Sequence, residues 1–234
     1  MGRTEQRRDP TDRSASLRQP LLPIPAAQPP LRACLLSGGA SRRMGTDKAL
    51  LPHPEGGSWL ERTLRLLLAL EIPVTLLSRH ARHLQLARAL LPSPGQSPSR
   101  LTAIAEPEPW QGPLLALHRL MERHPEQLLL LAPVDMPLLR QQDLQALLAA
   151  AASFQPLALE HWPMHLAHDG ERLQPLLGLY PSPLSRRRQL AAAIAAGERR
   201  LQHWLMTQPC RAVPLERQAL CNINRPSELP PAWL

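Results

Sequence analysis

The sequence predicts an α/β protein on a doubly wound, mostly parallel sheet, with a small hairpin added late in the chain. Three observations carry this. Short apolar runs alternate with helical segments from residue 31 to residue 152. One of them, QLLLL at 127–131, is nearly unbroken leucine, as a strand covered on both faces would be. A glycine-rich turn, SGGASRRMG, follows the first run. Repeated strand–helix units of this length imply parallel neighbours joined by right-handed crossovers.

The elements follow in order. Residues 31–36 are a short apolar strand ended by Ser37-Gly38-Gly39. Ser58 and Glu61 have capping-box spacing and open a helix through residue 70. A strand over 73–77, a helix over 81–91 and a strand over 101–105 come next. Gly112 and Pro113 mark a turn into a helix that ends at 124. The leucine strand at 127–131 leads to a helix over 141–152. Residues 156–160 read as extended. The segments 164–167 and 173–180 flank His168-Asp169-Gly170-Glu171, where Asp-Gly suits a hairpin turn. Helices over 184–196 and 198–206, a strand over 211–215 and a short helix from Pro226 complete the reading. Residues 1–30 mix charge, proline and small polar residues without periodicity. They read as a disordered Pro/Arg-rich tail ahead of one domain over 31–234.

Composition narrows the class. The 234 residues suffice for one sizeable α/β domain, and the 44% hydrophobic content is mainly Leu and Ala, because aromatics are 3%. A formal charge of +8 raises the question of nucleic acid. The arginines are scattered along helix-like segments, so the excess fits an anionic substrate at least as well, and no nucleic-acid partner is expected. Cys34, Cys210 and Cys221 form no C-x-x-C pair, and the odd count favours a reducing, cytoplasmic compartment. No apolar run approaches the roughly 20 residues of a membrane span, so no membrane association is expected. Arg7-Arg8 lacks the apolar segment an export signal would need.

Ligands of open parallel sheets sit beyond the carboxyl ends of the strands, so the loop after the first strand is the first candidate site. Gly38, Gly39 and Gly45 let the backbone approach a ligand with its N–H groups exposed, and such a loop leading into a helix cradles phosphate. The spacing is neither the Walker pattern nor G-x-G-x-x-G. Lys48 at the end of this loop is the only lysine in a chain with 27 Lys and Arg together. A compact ammonium passes between phosphate oxygens where a planar guanidinium is too broad, so the position suits a phosphate contact, the alternative being a lysine left by chance on the solvent face. Arg42 and Arg43 can add charge around a triphosphate, or can be ordinary solvated arginines.

Asp135, in LLLLAPVDMPLL, follows the leucine strand. A carboxylate there is placed to hold Mg²⁺ on the phosphates, although Asp is also common in turns before helices. Glu106, after the third strand, can accept from a base edge, help the metal, or simply be an exposed loop residue. The only two asparagines, Asn222 and Asn224 in CNINRP, lie on one face of an extended segment and suit either a polar ligand or local loop bonds. The nine histidines match no metal spacing, and no serine sits in a G-x-S-x-G elbow.

LSGGASRRMGTDK, with GPL at 112–114, VDMP at 134–137, DGERLQPLLGLY at 169–180, AGERRLQHWLM at 196–206 and NINRPSEL at 222–229, resembles the nucleotidyltransferases that make molybdenum cofactor dinucleotides, above all the molybdenum cofactor guanylyltransferases. The resemblance runs from about Leu31 to the C-terminus. It implies a Rossmann-like, three-layer nucleotidyltransferase fold that transfers GMP from GTP to the terminal phosphate of molybdenum-molybdopterin. GTP would meet Leu36, Ser37, Gly38 and Gly39, with Lys48 on its phosphates and Mg²⁺ on Asp135. Asn222, Asn224, Arg199 and Arg200 would face the pterin. Molybdenum-insertion proteins and molybdoenzyme apoproteins are the implied partners. Three positions depart from the family pattern: Glu106 replaces the usual Asp, Leu76 stands near the usual Asn, and Ala116 replaces a Gly. They leave a CTP-dependent cytidylyltransferase as the alternative enzyme and a non-catalytic cofactor carrier as the alternative outside catalysis.

Overall fold

The computed structural model describes residues 28–39, 44–91, 100–154, 158–230 and 233. The strands are β1 (Leu31–Leu36), β2 (Val74–Ser78), β3 (Leu101–Ala105), β4 (Leu128–Pro133), β5 (Met164–His168), β6 (Leu173–Pro181) and β7 (Cys210–Pro214). They form one seven-stranded sheet in the order β3-β2-β1-β4-β6-β5-β7. β1, β2, β3 and β4 are mutually parallel, whereas β6 runs antiparallel to β4. The β5–β6 hairpin therefore extends the main sheet, and β7 closes it parallel to β5. Chain order reverses between β1 and β4, and a crevice opens beyond strand ends at such a reversal.

Side chains alternate across each strand, so every buried strand feeds two cores. Ala33, Leu35, Leu76, Leu128 and Leu130 pack with one set of helices: α1 (Trp59–Leu68), α2 (Ala81–Ala89) and α4 (Gln141–Ala152). Cys34, Leu77, Leu129, Leu131 and Tyr180 face the opposite set: α3 (Pro113–Arg123), α5 (Leu184–Ala195) and α6 (Leu201–Leu205). The result is three layers. β4 is buried at every residue, so its leucine run is explained by burial on both faces.

Local chemistry sets the helix starts. Ser58 Oγ accepts from Glu61 N at 3.3 Å and Glu61 Oε2 accepts from Ser58 N at 2.7 Å, completing the box that opens α1. Such a cap contributes about 1 kcal/mol. Gly112, at φ 91°, turns the chain into α3, and Pro113 occupies its first turn. Three local expectations change. Residues 159–161 form a 3₁₀ turn rather than an extended segment. α6 begins at Leu201, because the Glu198 carboxylate accepts from the Arg199 and Arg200 N–H groups at 2.7 Å each and holds those residues outside the helix. The glycine loop leads into a 3₁₀ turn, Lys48–Leu50, not into a long helix; Pro52 and Pro54 follow, and α1 starts only at Trp59. The tail expected over residues 1–30 lies outside the described residues as far as residue 27.

Candidate active site

β1 and β4 pair with Leu35 opposite Ala132 and Leu36 opposite Pro133, so the segments that follow them leave the sheet side by side. After β1 come Ser37, Gly38 and Gly39; after β4 come Val134 and Asp135. Between them lies a cleft of about 450 Å³ lined by these residues and by Asp47, Lys48, Glu106 and Trp110.

Lys48 sits at the start of its 3₁₀ turn and is only 9% exposed. Asp47 caps that turn by accepting from Ala49 N at 3.1 Å. The Lys48 ammonium donates to Asn224 Oδ1 at 2.6 Å and stands 3.6 Å from Asp135 Oδ2. Asp135 is half-buried, and its loop is anchored by Met136 and Leu139 in the core. Its carbonyl accepts from Ile223 N at 3.1 Å, which fastens the CNIN segment to the loop. Burial pushes the Asp135 carboxyl above its usual range, and the Lys48 charge opposes that rise.

The other end of the cleft has different chemistry. Glu106 Oε1 accepts from Arg119 Nη1 at 2.8 Å. A side chain at Gly38 would place its Cβ 2.9 Å from Glu106 Oε2, so glycine lets this carboxylate lie against the loop where any other residue would make it shift. Trp110 is 45% exposed, donates its indole N–H to the Glu106 carbonyl at 3.0 Å, and carries the Arg79 guanidinium 5.2 Å from a ring centroid. The Gly38 and Gly39 N–H groups make no backbone hydrogen bond among the described residues, whereas Ser37 N continues the β1–β2 ladder to Leu77 O.

The structure thus brings together Leu36, Ser37, Gly38, Gly39, Lys48, Glu106 and Asp135 around one cleft, with Asn224 on the lysine. Asn222 and Asn224 flank the buried Ile223 as an extended segment requires, but Asn222 donates to Gln174 Oε1 at 3.3 Å instead of reaching the lysine. Gly45 adopts a φ of 67° in the turn before Lys48 and does not line the cleft. Arg42 and Arg43 lie outside the described residues. Leu76 is buried in the core and the cleft wall at that level is Leu77, while Ala116 does line the cleft. Arg199 and Arg200 line a separate depression with His203 and Trp204. Sequence reasoning missed Asp47, Arg79, His83 and Trp110. Their signals were the Asp directly before the only lysine, the Arg-His pair after β2, and a lone Trp between prolines.

Among the described residues, no three His, Cys, Asp or Glu side chains cluster as a metal cage. Mg²⁺ does not require one: it commonly takes one or two carboxylates and completes its shell with substrate phosphates and water. Asp135 beside open glycine amides fits that mode.

A glycine turn, a buried lysine and a carboxylate thus meet in one cleft at the switch point of the sheet. The chain belongs to the MobA-like NTP transferase domain family, whose model matches residues 33–212. It is 33% identical over 93% of its length to a probable molybdenum cofactor guanylyltransferase of Rhodopirellula baltica, 99% of which is covered. It is 32% identical over 91% of its length to the molybdenum cofactor guanylyltransferase of Ectopseudomonas mendocina, 96% of which is covered. Among solved structures, the molybdopterin-guanine dinucleotide biosynthesis protein A of Archaeoglobus fulgidus shares the fold with a TM-score of 0.62 at 18% identity, over 84% of this chain and 94% of that one.

Proposed function

We infer that this protein transfers GMP from GTP to the terminal phosphate of molybdenum-molybdopterin, releasing pyrophosphate. The observation that carries the reading is the Lys48 ammonium 3.6 Å from the Asp135 carboxylate, beside the glycine turn. The acceptor's phosphate oxygen attacks the α-phosphorus of GTP in line. One P–O bond forms, the bond from that phosphorus to the bridging oxygen breaks, and the electron pair leaves with pyrophosphate. No covalent enzyme intermediate is needed. The protein aligns two anions and neutralises charge on their oxygens.

Each residue has a part in that task. The Gly38 and Gly39 amides meet phosphate oxygens, and Lys48, steered by Asn224, supplies a positive charge that need not be imported with the substrate. Asp135 holds the divalent cation, taken as Mg²⁺, whose chemistry is to neutralise phosphate charge and polarise the reacting phosphoryl group. Glu106, oriented by Arg119, accepts from the base edge at the far end, where the Trp110 indole offers a stacking surface. The Asn222–Gln174 pair belongs to the periphery of this arrangement. The upstream and downstream partners on this reading are molybdenum-insertion proteins and apo-molybdoenzymes, and the three free cysteines suit the cytoplasm.

The test is a panel of GTP, CTP, ATP and UTP with Mg²⁺ and molybdenum cofactor, scored for pyrophosphate and for the dinucleotide product. GTP alone should give both. A preference for CTP would make the enzyme a cytidylyltransferase, and the absence of pyrophosphate release with every one of the four nucleotides would leave a carrier.

A further inference from the structure

One buried histidine has no part in the mechanism above. His83 on α2 is 1% exposed, and its ring spans the two ends of the glycine loop. Nδ1 lies 2.9 Å from Ser37 Oγ, 2.9 Å from Ser37 O and 2.9 Å from Ser78 Oγ. Nε2 lies 2.8 Å from Asp47 Oδ2, on the residue that precedes Lys48. A single imidazole therefore joins the end of β1, the end of β2 and the cap of the turn that carries the lysine.

The donor inventory places the protons. An ionised Asp47 only accepts, so Nε2 carries hydrogen and donates to it. Ser78 Oγ donates to Ser37 O at 2.6 Å and accepts from His80 N at 3.1 Å. In the neutral ring Nδ1 accepts from the Ser37 hydroxyl, the remaining donor, and the Ser37 carbonyl is then a close neighbour of the ring rather than a hydrogen-bond partner. The Ser-His-Asp composition is that of a hydrolytic triad. Ser37, however, is 2% exposed, too enclosed to attack an electrophile. The array suits holding rather than reacting.

We propose that His83 is a positioning residue that clamps Ser37 to Asp47, fixing the separation between the glycine turn and Lys48 before a nucleotide arrives. A loop ordered in advance does not have to be ordered by its ligand, and the saving appears as affinity. The consequence for turnover rests on the transferase reading; the clamp itself does not.

Lys48, as the only lysine, makes the test selective. Amine acetylation of the full chain, mapped by peptide mass to separate Lys48 from the N-terminal amine, reports how firmly that side chain is held. His83→Leu breaks both links, His83→Asn retains a polar group at the Nδ1 position, and His83→Gln retains one at the Nε2 position. His83→Leu that still melts cooperatively should raise the KM for GTP at least about tenfold and speed Lys48 acetylation at least about fivefold. His83→Gln, which keeps the Asp47 contact, should restore slow Lys48 acetylation but not the KM, because the Ser37 end is released, and His83→Asn should behave like His83→Leu in acetylation. A purely structural histidine would lower the melting temperature in all three and leave acetylation and KM of the folded protein alone, which overturns the clamp. If His83→Leu does not fold, equal Lys48 acetylation in the Gln and Asn variants overturns it equally. A wild-type chain inert towards GTP would sink the transferase reading, with the clamp still judged by acetylation.

Discussion

Replacing Lys48 with Met keeps most of the stem and removes the charge. At 3.6 Å from Asp135 Oδ2, and with an effective dielectric of about 20, that charge contributes roughly 4 to 5 kcal/mol of attraction to a carboxylate. A phosphate oxygen at similar range would feel a comparable pull, and it is felt most when charge accumulates in the transition state. Loss of a single transition-state donor costs about 100- to 1,000-fold. Lys48→Met should therefore lower kcat/KM for GMP transfer at least about 100-fold, with thermal melting run alongside to show a folded protein. Lys48→Arg should not rescue it. Lys48 is 9% exposed and its ammonium lies 2.6 Å from Asn224 Oδ1, and a planar guanidinium would have to displace that side chain or withdraw from the cleft. A folded Lys48→Met protein within about threefold of wild type would refute the reasoning, because the charge would then have no transition-state partner.

Three further outcomes follow from single contacts. Gly38→Ala would bring its Cβ to 2.9 Å from Glu106 Oε2 and push that carboxylate off its place; the KM for GTP should rise while the melting temperature changes little, as steady-state kinetics with calorimetry would show. Gly178→Ala in β6 would set its Cβ 2.5 Å from the His165 carbonyl, against backbone that cannot yield, and should destabilise by about 1 to 3 kcal/mol, read from denaturant midpoints. Burial, reinforced by Arg32 and Arg123, lowers His124 to about 4 from 6.5. The unfolded chain takes up that proton first, so stability is complete above pH 6.5 and declines as the pH falls through the window down to about 4. His124→Leu should flatten the acid side of a urea-midpoint profile, and an unchanged slope would count against the assignment.

The parts of the fold that were legible in the sequence rest on short-range rules. The leucine strand β4, the capping box at Ser58 and the Asp-Gly turn between β5 and β6 each follow from a few adjacent residues. The meeting of Lys48 and Asp135 in one cleft was legible because each follows a strand whose carboxyl end opens on that cleft. Long-range contacts were not legible. Nothing near Asn222 in the chain says that it meets Gln174 while Asn224 takes the lysine. Glu198 drew Arg199 and Arg200 into a turn of their own by accepting from their backbone, which a helical pattern over 198–206 conceals. His83 reads on its own as one histidine on an amphipathic helix. Its meaning appears only when β1, β2 and the Lys48 turn are brought against it.

The most direct measurement is a crystal structure with Mg²⁺ and a GTP analogue that cannot be cleaved between the α- and β-phosphates. The account predicts the phosphates over Gly38 and Gly39, the Lys48 ammonium within hydrogen-bond reach of a phosphate oxygen, and the metal on Asp135. A nucleotide seated instead in the depression beside Arg199 and Arg200, with Lys48 still turned to Asn224 and Asp135 bare, would contradict it.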